Sequence, residues 1–228
     1  MNGRLKILGV MLAVVGLAFV AGGGYAYYKT SQGSQALQAF SAAQNVNLTY
    51  NEAGQLTSGG TTEDADKIMS LLANDWGYTV DKSELNPNDP LVNTASEYMY
   101  QMATISYHTL HGTQTVVLPE DVTAADGTVY KAGTYEFPVD GRYWTAFDRS
   151  NPIEAKAREQ AWTGTAHGLI AELGVGTVTG STLQMGLGLS ILFFLVGGVV
   201  LTSGLGLVWA TRAEKAKVPG LVLSPTPA

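Results

Sequence analysis

Two long runs without a single charge lie near the ends of this chain, and they constrain it more than anything between them. The first, Ile7 to Tyr28, reads ILGVMLAVVGLAFVAGGGYAYY. The second, Met185 to Ala210, reads MGLGLSILFFLVGGVVLTSGLGLVWA. About 20 apolar residues in a helix cross a hydrocarbon core of roughly 30 Å. A helix also satisfies its own backbone hydrogen bonds where water is absent. The expected class is therefore a mainly α membrane protein. Transmembrane helices at 7–28 and 183–210 flank a central domain at 29–182, with short ends at 1–6 and 211–228.

The flanking charges orient both spans. Arg4 and Lys6 precede the first, and Arg212, Lys215 and Lys217 follow the second. Short segments rich in Lys and Arg stay in the cytoplasm. Both termini are thus expected inside and segment 29–182 outside, as a multi-pass protein of the cell membrane. That segment carries eight basic and eighteen acidic residues, a formal charge of −10. Tyr25, Tyr27, Tyr28 and Trp209 fall at span ends, the usual place for interfacial aromatics. The first run also fits a signal peptide, with a basic start, an apolar stretch and small residues near 22–26. Under that alternative only the second span anchors the mature chain, and the central segment is still extracytoplasmic.

Small residues recur at four-residue spacing in both spans: Gly9 and Ala13, Ala18 and Gly22, Gly186 and Ser190, Thr202 and Gly206. Such positions let helix backbones approach closely in lipid. They are the expected helix-packing residues, between the two spans or against a membrane-protein partner.

The central segment reads as helices with a small β-hairpin insertion. Residues 29–44 have helix-forming composition and extend the first span. NVNLTYNEAGQL alternates and ends in a Gly turn, as a short strand does. TTEDADKIMSLLAND opens on a Thr cap, with acids in its first turn and Ile68, Leu71 and Leu72 at helical spacing. The best helix is 94–111, where Thr94 and Glu97 make a capping box and Gly112 marks the stop. From TQTVV to DGRYW the period changes to short β-branched and aromatic runs, split by Pro119, Asp126-Gly127, Gly133 and Asp140-Gly141. Two or three strands in hairpin order fit this stretch. NPIEAKAREQAWTGTAHGLIAEL returns to helix, with Asn151 as cap and Pro152 at its first position. Gly-rich GVGTVTGS leads into the second span, and the Pro-bearing tail VPGLVLSPTPA reads as disordered.

The chain has three histidines, and their pattern decides whether a metal enzyme is in question. On a helical wheel Ala95, Tyr98, Met99, Met102, Ile105 and Thr109 share one side of 94–111. Glu97, Gln101, Thr104, His108 and His111 form a polar row on the other. His108 and His111 therefore point the same way, and a helix can supply two ligands from positions three apart. His167 lies on the flank of the apolar face of the last helix. A site of His108, His111, His167 and Glu97 would suit iron(II) or zinc. The competing reading is that the row is the solvent side of an amphipathic helix. A histidine at a helix C-terminus is favourable by itself, by about 0.3–1 kcal/mol.

Other chemistry finds little footing. The chain has no cysteine, which excludes disulfides, thiolate ligands and a cysteine nucleophile. No phosphate loop, G-x-S-x-G or H-E-x-x-H pattern occurs, and no catalytic or cofactor-binding residue is read. Asn47-Leu48-Thr49 fits a glycosylation acceptor. The aromatic pair Tyr143-Trp144 reads as closing a small core beside a hairpin, or as an exposed contact. A domain of charge −10 argues against nucleic acid.

DPLVNTASEYMYQMATISYHTLHGTQTVVLPEDV, GTYEFPVDGRYW and AWTGTAHGLIAELGVGTVTGSTLQMG together resemble a group of two-span actinobacterial membrane proteins. Members of that group often carry the label aromatic ring-opening dioxygenase small subunit. The resemblance extends over nearly the whole chain and implies bacterial origin and a cell-membrane location. In the ring-opening dioxygenases the iron ligands belong to the large subunit, so it assigns no iron ligand here.

The functional expectation is a non-enzymatic accessory or structural subunit of a larger envelope or membrane assembly. Its partners are the lipid bilayer and another membrane protein, with Gln101, Thr104, His108 and His111 as candidate contacts. Two alternatives stand beside it: an extracytoplasmic small-ligand sensor or carrier domain, and a metal-dependent ring-opening oxygenase using the histidines.

Overall fold

The computed structural model describes residues 2–216. The expectation for the tail at 218–228 lies outside the described residues. The chain is mainly helical, and two helices dominate it: α1 (Asn2–Gln44) and α5 (Gly164–Ala216). Both are long and apolar enough to cross a membrane. The chain divides into two compact units, Met1–Gln35 with Thr182–Ala228, and Ala36–Ser181.

In the first unit α1 and α5 run antiparallel, and the contact is made by backbone on backbone. Gly9, Gly16 and Gly23 of α1 are all buried, as are Ser190, Gly197, Gly204 and Thr211 of α5. A Cβ at Gly204 would stand 2.6 Å from the Gly9 carbonyl oxygen, and one at Gly197 2.9 Å from that of Gly16. One at Gly23 would stand 3.1 Å from the Ser190 oxygen. The repeat is seven residues on both helices. Seven residues make two turns at 3.5 per turn, the period that keeps one seam in contact along a left-handed pair.

The four-residue expectation is corrected accordingly. Gly9, Ala13, Gly186 and Ser190 do stand in the seam, Gly186 against Thr30 and Ala13 against Gly204. Gly22 only edges it, since a Cβ there would stand 3.7 Å from the Phe193 ring, and Gly206 faces open space. Ala18 and Thr202 are exposed. A four-residue stripe rotates off a long antiparallel contact within a few turns, while a seven-residue one stays. Large apolar side chains point away from the seam, among them Ile7, Met11, Val14, Leu195 and Val199.

The second unit is built around α3 (Ala95–Leu110). A hairpin of β1 (Thr49–Tyr50) and β2 (Leu56–Thr57) precedes it, with α2 (Thr62–Ser70) and a π-helical turn at Leu71–Asp75. Thr61 caps α2 by accepting from the Asp64 N–H. The β insertion holds four strands rather than two or three. β3 (Thr113–Leu118) pairs antiparallel with β6 (Gly133–Pro138), and β4 (Val122–Thr123) with β5 (Val129–Tyr130) lies nested between them.

The predicted helix from Asn151 onward breaks in two. α4 (Pro152–Ala161) begins as expected, with Asn151 accepting from Ile153 and Glu154. It ends at Trp162, whose backbone leaves the helical region, and the Thr163 hydroxyl then caps α5 by accepting from the Ala166 N–H. The Gly-rich stretch 174–181 is part of helix α5. Gly176 and Gly180 supply bare surface on which α3 sits: a Cβ at Gly180 would stand 3.0 Å from the Ala95 nitrogen. α3 itself stops at Leu110 with His111 as its cap, one residue before Gly112.

Three apolar clusters hold this unit together. Ile68, Leu72, Tyr98, Tyr100, Ala103 and Leu173 centre the first. Leu110, Val139, Phe147 and Trp162 centre the second, and Val116, Leu118 and Ala157 the third, under the β3–β6 ribbon. Tyr143 is 44% exposed, yet it stacks on Trp162 and accepts a hydrogen bond from Trp76 Nε1 at 2.9 Å. Trp144 lies half-buried beneath the Arg158 guanidinium, 4.0 Å from its ring centre. Trp144 therefore packs on the second cluster, while Tyr143 stays exposed at its edge, stacked on Trp162.

Candidate functional site

α3 is buried nearly all round, and its polar row is not one solvent face. Glu97 is 1% exposed. Its Oε2 accepts from the backbone N–H of Asn93 and Thr94, both at 3.0 Å, and from the Thr94 hydroxyl at 2.8 Å. The expected capping box is thus present, and all three of these bonds converge on one carboxylate oxygen. Burial pushes the Glu97 carboxyl above its ordinary value, against those hydrogen bonds.

The rest of the row turns with the helix and borders three different hollows. Gln101, Thr104 and His108 line a polar one of about 250 Å³ under the β1–β2 hairpin, together with Tyr100. The Tyr100 side chain is buried, and its hydroxyl has no hydrogen-bond partner. Desolvation pushes that phenol well above its ordinary value. The nearby Thr104 hydroxyl opposes the rise, but it donates to the Tyr100 carbonyl at 3.0 Å and makes no hydrogen bond to the phenol. His111 instead borders a wide hollow with Asp75, Trp76 and Tyr143.

The metal hypothesis meets this geometry at each residue. His108 and His111 are exposed. The His111 ring stacks on Tyr107 at 4.1 Å, and its Nδ1 lies 2.9 Å from the Tyr107 carbonyl. His167 sits among aromatics, 5.2 Å from the Trp144 ring and 5.7 Å from that of Trp162. Glu97 is sealed in its cap. The four candidate ligands are not brought together, and among the described residues no group of three or more acids and histidines is placed to hold a metal ion.

The third hollow was not foreseen. It is a cleft of about 230 Å³ where the end of α1 and the start of α5 meet α3. Val92, Ile105 and Leu173 supply apolar wall, and Phe40, Val46 and Leu169 rim it. Tyr98 and Ser41 meet there, oxygen to oxygen at 2.6 Å, and both are buried. Gln44, Gln101 and Glu172 add polar groups.

No family model, curated protein or solved structure matches the chain.

Gln101 is the one candidate contact residue that borders two of the hollows, this cleft and the polar one. No sequence pattern marks the cleft, because its walls come from segments more than 120 residues apart in the chain, Phe40 to Leu169. One residue points toward it. Gly176, in the glycine-rich stretch of α5, is what lets Tyr98 lie flat against that helix. A Cβ at Gly176 would stand 2.6 Å from the Tyr98 ring.

Proposed function

We propose that this chain is a two-span membrane protein, both termini cytoplasmic and segment 29–182 outside, that acts by binding a small ligand rather than by catalysis. The sidedness rests on charge. Basic residues flank the spans at Arg4, Lys6, Arg212, Lys215 and Lys217, while the segment between them is strongly acidic. The binding role rests on one observation, the cleft beside Tyr98. It is mostly apolar, concave and equipped with a few converging polar groups, which is the usual make-up of a small-molecule site. Sensor and carrier roles both follow from such a site.

Two experiments test this. Single cysteines at Ser34, Asp126 and Ser224 can be probed in whole cells with an impermeant thiol reagent, since the chain has no cysteine of its own. Ser34 and Asp126 should label and Ser224 should not; the reverse pattern refutes the sidedness. For binding, ligand-observed NMR of the full chain in lipid nanodiscs should find fragments whose signal is lost in Val46→Trp, a change at the cleft rim. A folded chain that holds no fragment refutes the binding reading.

A second reading, an accessory subunit of a larger membrane assembly, is supported by a different observation. Once the α1–α5 seam has used its glycines, Gly198 and Gly206 of α5 meet nothing within 4 Å, with exposed Thr202 between them. This four-residue small ridge suits close approach by a further membrane helix. Under this reading the chain migrates in native gels well above its monomer and dimer mass, and Gly198→Leu with Gly206→Leu returns it to a smaller species. A chain that stays monomeric or dimeric in several mild detergents and after crosslinking in cells refutes it.

A further inference from the structure

The cleft beside Tyr98 has a chemistry specific enough to name a ligand class, provided that it binds a small molecule at all. We propose that it takes a small amphipathic amine: an apolar body against Val92, Ile105 and Leu173, with a protonated nitrogen directed to Glu172.

The argument begins with the buried hydroxyl pair. Ser41 Oγ donates its only proton to the Leu37 carbonyl at 2.9 Å. The 2.6 Å contact between Ser41 and Tyr98 must then be donated by the Tyr98 phenol. Each hydroxyl has one proton and two lone pairs. Both protons are spent inside the protein, so the pair can offer a ligand only acceptor capacity.

The charge in the cleft points the same way. Glu172, exposed at the mouth, is the only charged residue lining it. An ionised carboxylate accepts and cannot donate. Lys67 pairs with Glu63 and Asp64 and Lys131 with Asp121, so neither lysine engages Glu172. No lysine, arginine or histidine lines the cleft, so an anionic ligand would face the Glu172 carboxylate with no counter-charge. The Gln44 and Gln101 amides can serve either role. An ammonium group, with three donors and a positive charge, complements every fixed feature of the site.

Size sets the body. An apolar cavity of about 150 Å³ accepts benzene. A cleft of about 230 Å³ therefore has room for one ring with a short chain. Phe40, Val46 and Leu169 stay 46%, 37% and 42% exposed at the rim, and a seated ligand would cover part of that surface.

Three probes that share a phenyl ring and differ in their head group test the class: 2-phenylethylamine as cation, 2-phenylethanol as neutral molecule, 3-phenylpropionate as anion. Each is titrated calorimetrically into the full chain in phosphatidylcholine nanodiscs, with empty nanodiscs subtracted for partitioning into lipid. The amine should bind at least about ten-fold tighter than the alcohol, and the acid most weakly. Glu172→Gln should remove that preference. Val46→Trp should abolish binding of both, with Leu169→Trp as a second block if the first variant misfolds by circular dichroism. An amine no tighter than the alcohol, or a preference that survives Glu172→Gln, overturns the ligand class. If the alcohol still binds and Val46→Trp removes it, the cleft remains a binding site and only the amine assignment fails. If none of the three probes binds the folded chain, both the class and the binding reading fail.

Discussion

Gly176 lies directly under the ring of Tyr98, so close that a Cβ there would stand 2.6 Å from Cδ1 and 2.7 Å from Cγ. This contact seats α3 on α5 and holds the Tyr98 hydroxyl against Ser41. It also explains why a residue of poor helix propensity occupies the middle of a helix.

Gly176→Ala should therefore destabilise the domain. The added methyl gains about 1 kcal/mol of helix propensity. It meets an aromatic ring packed against the core, and overpacking of that kind costs about 1–3 kcal/mol. A melting temperature below wild type, read from near-ultraviolet dichroism, is expected. Gly168→Ala, in the same helix but with nothing within 4 Å, should raise it.

Glu97 should mark the pH dependence of folding. Burial raises its carboxyl in the folded chain. Between the unfolded and folded values the folded chain holds more protons, so this contribution to stability falls as pH rises. It is fully present below about pH 4, the unfolded value, and lost once pH passes the folded value. Asp81, Asp121, Asp126 and Asp148 are shifted down, by Ser83, Lys131, Thr128 and Ser150 respectively. Their contributions run the opposite way, present at neutral pH and lost in acid. The difference in unfolding free energy between wild type and Glu97→Gln should hence decline as pH rises from about 4, with the aspartate effects cancelling. A flat difference curve would contradict the assignment. Glu97→Ala should cost about 1–3 kcal/mol, because it strands buried donors.

The seven-residue seam predicts an asymmetry among the glycines of α1 and α5. Gly16→Leu and Gly204→Leu place a side chain into the facing backbone, and each should lower thermal stability in mild detergent by the equivalent of about 1–3 kcal/mol or more. Gly188→Leu faces open space and should leave that stability within about 0.5 kcal/mol. Equal effects at Gly188 and at the seam positions would rule out the seam.

His108→Ala with His111→Ala should change stability by less than about 1 kcal/mol, as for exposed polar side chains. Metal analysis of purified wild type should give well under one iron or zinc per chain. A stoichiometric metal that disappears in the double variant would restore the oxygenase reading.

Much of this protein was legible in local chemistry. The apolar runs, the Thr94–Glu97 box, the Asn151-Pro152 start and the acidic first turn of α2 all depend on residues within a turn or two of each other. Such signals survive without knowledge of the fold. Local rules also failed in local ways. The stretch 151–173 had helical composition throughout, yet Trp162 turns out of the helix to reach the second cluster and Thr163 starts a new one.

What only the tertiary structure decided are the relationships across the chain. The wheel of α3 placed Glu97 and His108 on one polar face. The fold packs neighbours around nearly all of the helix, sealing Glu97 and leaving His108 exposed. Glycine spacing in the spans contained both a four-residue and a seven-residue pattern. The choice fell to seven because two long helices in antiparallel contact must keep the same seam over many turns. The cleft beside Tyr98 is made of Phe40, Ile105 and Leu169. No local pattern encodes their meeting, since side-chain burial is set by what packs against a residue and not by its neighbours in sequence.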